Sequence, residues 1–190
     1  MGDSSTYLNP NSLLQRISSL PQLETLVIII AFPNPDVETR LLHVPTITHA
    51  THPNLRLSSF QGASAYLEVL IRQIATPRLE RFHIMFFEQV AFSIPCLVRF
   101  INTIESKRLS FDSAKLESFY EQVRVKTYPH DENRRCSFSI SVDCLSFNVR
   151  ISPMAQIVDA LGQVLSTKNT SFSITKKTVG RMKKASTSDL

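Results

Sequence analysis

The sequence predicts an α/β protein, folded as a short curved solenoid of irregular helix–strand units. Two observations predict it. The phrase Pro-x-Leu-Glu-x-φ-x-Ile, with φ apolar, is written twice, at Pro21–Ile28 and at Pro77–Ile84. Around these copies, apolar residues at helical spacing alternate with short β-branched runs about four or five times, the pattern of stacked supersecondary units. A chain of 190 residues is about one domain and buries a core without disulfide or metal staples.

Taken in order, residues 1–11 are polar and turn-forming and are expected to be irregular. Ser12–Leu20 places Leu13, Leu14, Ile17 and Leu20 on one helical face behind a Ser12 cap. Pro21 ends that helix, and LETLVIII follows as a β-branched strand. A short helix is expected near Asp36–His43, between prolines, and Asn54–Gly62 reads as a serine-containing strand. Ala63–Ile74 is the clearest helix, with Tyr66, Leu67, Leu70, Ile71 and Ile74 on one face, and RLERFHIMFF is the next strand. Ser93–Ile104 predicts a helix with Pro95 in its first turn. KLESFYEQVRVKTY divides into a short repeat strand and a second strand over Gln122–Tyr128; PHDENRR then connects to a strand whose Phe138, Ile140 and Val142 share one face. Ser152–Ser166 is the last expected helix. The domain is thus drawn over residues 12–167, and residues 168–190 are expected to be a basic, disordered tail.

Aligned at their strand starts, Pro21-x-Leu23-x-x-Leu26-x-Ile28, Pro53-x-Leu55-x-x-Ser58-x-Phe60, Pro77-x-Leu79-x-x-Phe82-x-Ile84 and Ala114-x-Leu116-x-x-Phe119 share one frame. It is the Leu-x-x-Leu-x-Leu core of a leucine-rich repeat. The steps of 32, 24 and 37 residues make these irregular, leucine-rich-repeat-like units carrying full helices. The frame residues point between strand and helix layers, where each unit covers its neighbour. The positions between them face the other way, onto an open concave sheet. Thr25, Val27, Ile29, Leu57, Ser59, Gln61, Arg81, His83 and Met85 are the expected partner-facing set.

Composition excludes more than it assigns. The net charge of +5 lies wholly in the terminal segment, where Lys168, Lys176, Lys177, Arg181, Lys183 and Lys184 face one acid, Asp189. The first 167 residues are therefore neutral, and polyanion binding through the tail is the alternative reading, with a structured nucleic-acid groove disfavoured. Four isolated glycines leave no phosphate loop. His49-x-x-His52 has no companion ligands nearby, so no metal is assigned, and the three cysteines read as packed thiols of a reduced compartment. No Gly-x-Ser-x-Gly or paired-acid arrangement is present, so neither an enzyme nor a cofactor is expected. The longest apolar run, Leu26–Phe32, is too short to span a membrane. Arg181–Ser186 has the look of a basophilic kinase target, though incidental serines in a solvated tail are the simpler reading.

The blocks LPQLETLVI, GASAYLEVL, TPRLERFHIMFF and FSIPCLVRFINTIESKRLSFDSAKLE resemble the leucine-rich-repeat-like region of fungal F-box proteins, over roughly Ser12–Ser166. The resemblance implies a cytoplasmic or nuclear ubiquitin-ligase adaptor whose repeat arc holds an unknown protein substrate. The F-box itself is not among these residues, so Skp1 is expected as a partner only where the full-length product carries one. The expectation is a non-catalytic protein-interaction scaffold; a truncated remnant without independent function is its other alternative.

Overall fold

Three proline turns set up the first half of the fold. In each, the residue before proline accepts a backbone hydrogen bond from the leucine that follows: Leu23 to Leu20 (3.1 Å), Leu55 to His52 (3.3 Å) and Leu79 to Thr76 (3.2 Å). Proline suits the second position of such a turn because its φ is already fixed there. Each turn then docks on the one before it. The Arg56 and Leu57 amides donate to the Glu24 carbonyl (2.9 and 3.1 Å), and one unit on, the Glu80 and Arg81 amides donate to the Arg56 carbonyl (2.8 and 3.0 Å). The sequence repeats its phrase because the backbone repeats this handover.

The computed structural model describes residues 10–30, 50–87, 95–105, 109, 111–118, 122–129, 136–143, 155, 157–159, 161–162 and 171–176. Its helices are α1 (Pro10–Ser18), α2 (Ser64–Gln73) and α3 (Pro95–Asn102), with further helical residues between 155 and 162. Its strands are β1 (Thr25–Ile29), β2 (Ala50–Thr51), β3 (Leu57–Gly62), β4 (Ile74–Ala75), β5 (Arg81–Phe86), β6 (Ser113–Ser118), β7 (Gln122–Tyr128), β8 (Phe138–Asp143) and β9 (Ser171–Lys176). The helix expected near Asp36–His43 and most of the basic tail lie outside the described residues. β9 falls inside the segment that composition reads as tail.

Seven strands form one sheet in the order β1-β3-β5-β8-β7-β6-β9, and β2 pairs with β4 in a small parallel ladder just before the second and third proline turns. β1, β3, β5 and β8 run parallel, so Ile28, Phe60, Ile84 and Ile140 line up across four strands. The expected solenoid is corrected at this point. Its fourth unit, begun at Ala114, should lie beside β5, but β8 takes that place, and β7 runs antiparallel to both of its neighbours, β8 and β6. The reason is connection length. Only residues 119–121 separate β6 from β7, and a parallel pair needs a crossover of about a dozen residues or more. Ala114 also stands where the other units have proline, so Leu116 and Phe119 match the repeat frame without its turn residue. The result is a mixed α/β sheet and not a curved array of repeats.

The core lies on one face of this sheet, where Phe60, Phe82, Phe86, Phe138, Ile84 and Ile140 are fully buried. Tyr66 of α2 stacks near Phe60 (6.2 Å between ring centroids), and Phe100 of α3 packs on Phe82 (5.5 Å), which puts both helices on that face. Ile157 and Leu161 are buried in the same core. The helices are locked together by Glu68, buried on α2, whose two carboxylate oxygens accept from the Cys96 amide at 3.2 Å each. Pro95 begins α3 and has no N–H, so the Cys96 amide is the first that needs a partner. Arg72, one turn further along α2, holds the same carboxylate at 3.2 Å. At the end of β3, Gly62 has φ +157, and a Cβ there would meet Ile30 Cβ at 3.1 Å and Phe60 at 3.2 Å. A side chain there would push Ile30 or Phe60 aside by a few tenths of an ångström and take up a backbone angle that favours glycine.

Candidate functional site

The other face of the sheet carries no described helix. Strand alternation sends one residue set into the core and the other onto this face. Along β5 the buried Phe82, Ile84 and Phe86 alternate with half-buried Arg81, His83 and Met85; along β7 the buried Val123, Val125 and Thr127 alternate with Gln122, Arg124, Lys126 and Tyr128.

Register turns these alternations into rows. Thr25, Leu57 and Arg81 form one; Val27, Ser59, His83, Ser139, Lys126 and Lys115 the next; Ile29, Gln61, Met85, Ser141, Arg124 and Glu117 the third. All nine residues expected from the sequence to face a partner therefore stand together as a three-by-three grid over β1, β3 and β5. Their surroundings differ. Val27 and Ile29 are 56% and 62% exposed, while the residues of β3 and β5 are half-buried.

The grid is only half of the face. Sequence reasoning passed over Ser139, Ser141, Arg124, Lys126, Lys115, Glu117 and Tyr128, which extend it across β8, β7 and β6. The signal was present: once Phe138, Ile140 and Val142 are assigned inward, the serines between them must point outward. They were missed because the repeat frame placed β6 beside β5 and left β7 and β8 without a position.

The face is apolar at β1 and charged from β5 to β6. His83 Nδ1 lies 2.8 Å from Ser139 Oγ. Burial, with Arg81 and Arg124 nearby, pushes the His83 pKa below its usual value, so the ring is neutral at neutral pH. Lys115 and Lys126 converge on Glu117 at 3.3 and 3.0 Å. Burial opposes ionisation of that carboxyl, yet the two ammonium groups hold it below the usual carboxylate range. Arg124 donates to Gln122, and Gln122 donates to Asp143 at 2.7 Å.

Ser139 and His83 are the pair on this face with the makings of chemistry, within reach of each other as a nucleophile and base would be. But the base is flanked by cations where an orienting carboxylate is needed, and Ser139 lies in a strand paired on both sides, whose amides serve the ladder and not an oxyanion. Among the described residues no three of His, Cys, Asp and Glu cluster to hold a metal. His52 is buried beside the second proline turn, with neither ring nitrogen bonded, and Thr76 Oγ1 at the matching place in the third turn is likewise without a partner. Burial depresses the His52 pKa. Cys96 and Cys136 are half-buried free thiols whose pKa burial raises, which makes them weak nucleophiles. A cavity of about 30 Å³ lined by Leu26, Phe60, Leu67, Thr76, Phe82 and Phe100 has room for about one water and none for a substrate. No helix among the described residues is long and apolar enough to cross a membrane.

Comparison with protein-family models, with curated proteins and with solved structures finds no match.

Proposed function

We propose that the chain is a non-catalytic protein-interaction module and that its partner lies on the open sheet face. One observation carries the reading. Val27 and Ile29, large β-branched side chains, are more than half exposed on the same face as seven further outward residues, while the alternate residue Ile28 is buried among core neighbours. Isolated exposed apolar residues need no explanation, but a contiguous apolar corner running into a polar and charged field has the composition of an interface. The resemblance of GASAYLEVL and TPRLERFHIMFF to fungal F-box proteins supports a narrower form, in which the partner is a protein held for ubiquitylation.

The test is affinity capture with the tagged full chain against a Val27→Asp/Ile29→Asp variant, with folding of both checked by circular dichroism. Partners that depend on the face fall at least about tenfold with the variant, the loss that removal of a central interface contact brings. Identical partner sets from the two folded proteins would reject the open face as the interface. For the narrower form, Skp1 should accompany a full-length product that carries an F-box and should be absent from captures made with the present 190 residues.

A further inference from the structure

β1 ends the sheet as a strand with one free side. The Arg56 and Leu57 amides of the next unit donate to the Glu24 carbonyl, and the Ile30 amide donates to the Gln61 carbonyl at 2.8 Å. Backbone groups alternate along a strand, so Glu24, Leu26, Ile28 and Ile30 turn their amides and carbonyls toward β3. Thr25, Val27 and Ile29 turn theirs away from it, and among the described residues no strand stands on that side. The same three residues carry exposed side chains, two of them large and β-branched.

Edge strands of folded proteins are ordinarily guarded by charge, proline or a bulge. β1 has none of these. Its sequence is Thr-Leu-Val-Ile-Ile, and its five residues pair with β3 in unbroken register. A strand this bare accepts another, and its surroundings say which kind. The outward residues at and beside the edge, Thr25, Val27, Ile29, Leu57, Ser59 and Gln61, are uncharged. Arg56, at the turn, is already held by Glu80 at 3.7 Å. No charge is left here to attract an acidic or basic segment. The complement of the edge is a neutral, β-branched strand, and the chain supplies one in β1 itself.

We infer that β1 pairs antiparallel with β1 of a second copy, about a two-fold axis at Val27. In that register Val27 meets Val27 of the other copy and Thr25 meets Ile29, each pair exchanging both of its backbone bonds. Leu26 then lies opposite Ile28 on the core side, where Leu26 is only partly buried in the single chain. Exposed Glu24 fixes the direction. Copies in parallel register would set these carboxylate residues about 4.8 Å apart, whereas the antiparallel register holds them about 20 Å apart. The opposite edge is no substitute. β9 against β1 joins copies head to tail and leaves the same two edges open again, so the assembly grows without closing. The inference goes beyond the open-face interface, because pairing uses the β1 backbone and leaves its side chains on that face, continued as one surface across two copies.

The test is sedimentation equilibrium of the full chain over a concentration series, beside Val27→Lys and Val27→Glu variants whose folding is checked by circular dichroism. The wild-type chain should associate to a dimer by about 100 μM. Each variant sets like charges face to face at the axis and should weaken association at least about tenfold. An equal mixture of the two variants should restore it, because opposite charges then meet. Ile174→Lys, on β9, should leave the dimer unchanged. The Thr25, Val27 and Ile29 amides should exchange with solvent more slowly in the dimer than in the dilute monomer. A chain monomeric throughout, a dimer indifferent to Val27→Lys, a mixture that does not recover, or larger oligomers dispersed by Ile174→Lys would each overturn the inference. A partner captured through Val27 and Ile29 by a chain that stays monomeric would leave the open-face reading standing without the dimer. A dimer whose captured proteins are indifferent to Val27→Asp/Ile29→Asp would reject that reading and leave the pairing of β1 in place.

Discussion

His52 is buried with neither ring nitrogen hydrogen-bonded. Two buried ring nitrogens without partners forfeit hydrogen bonds that water supplies in the unfolded chain, a cost of about 1–3 kcal/mol. Its pKa is depressed in the folded state, so below 6.5 the unfolded chain takes up a proton that the folded chain refuses, and stability falls as pH drops. His83 acts in the same direction. Glu117, also depressed, adds a second loss when pH falls below 4.5 and through its folded value. His52→Leu should therefore raise the melting temperature at neutral pH and flatten, without abolishing, the decline between neutrality and pH 5; a thermal melt series over pH would show an unchanged slope if His52 were solvated. Gly62 bears the opposite prediction. Gly62→Ala must shift Ile30 or Phe60 and adopt a backbone angle that alanine disfavours, so urea denaturation should report a loss of about 1–3 kcal/mol.

Between elements, the Glu68 clamp is the contact with the clearest consequence. It fills the place of a helix cap from a neighbouring helix, so Glu68→Ala should cost about 1–2 kcal/mol, the range for loss of an N-cap. Arg72→Gln should cost much less, because its guanidinium is about half exposed and such pairs contribute little. Equal losses from the two variants in chemical denaturation would mean that the ion pair, and not the cap, joins α2 to α3. Sequence showed α2 and α3 clearly, because their apolar stripes recur every three or four residues. It could not show the clamp. Glu68 and Cys96 are 28 residues apart, and nothing local distinguishes this glutamate from a solvated one.

Over the whole molecule, what was legible in sequence was local and what was missed was pairing. Three proline turns and their strands were readable from Pro21, Pro53 and Pro77, because turn chemistry and inward leucines are written within eight residues. The partner of β5 was not, since Leu116 and Ile140 carry similar apolar patterns and only connection length tells which strand returns antiparallel. Half of the candidate face was lost with that choice. In the monomer, hydrogen exchange should follow the observed strand order: slower in β3, β5, β8, β7 and β6, which have neighbours on both sides, and fastest in β1 and β9 at the two edges. Equal protection of β6 and β5, with β8 unprotected, would favour the discarded order. The strand order also sets a timetable for synthesis. β5 ends at Phe86 and its partner begins at Phe138, 52 residues later, so a nascent chain displays Arg81–Phe86 without a neighbour on that side until the β6–β7 hairpin has left the ribosome. A polypeptide halted after Ser118 should consequently be held by chaperones or aggregate, whereas one extended past Asp143 gains the strand that closes the centre of its sheet.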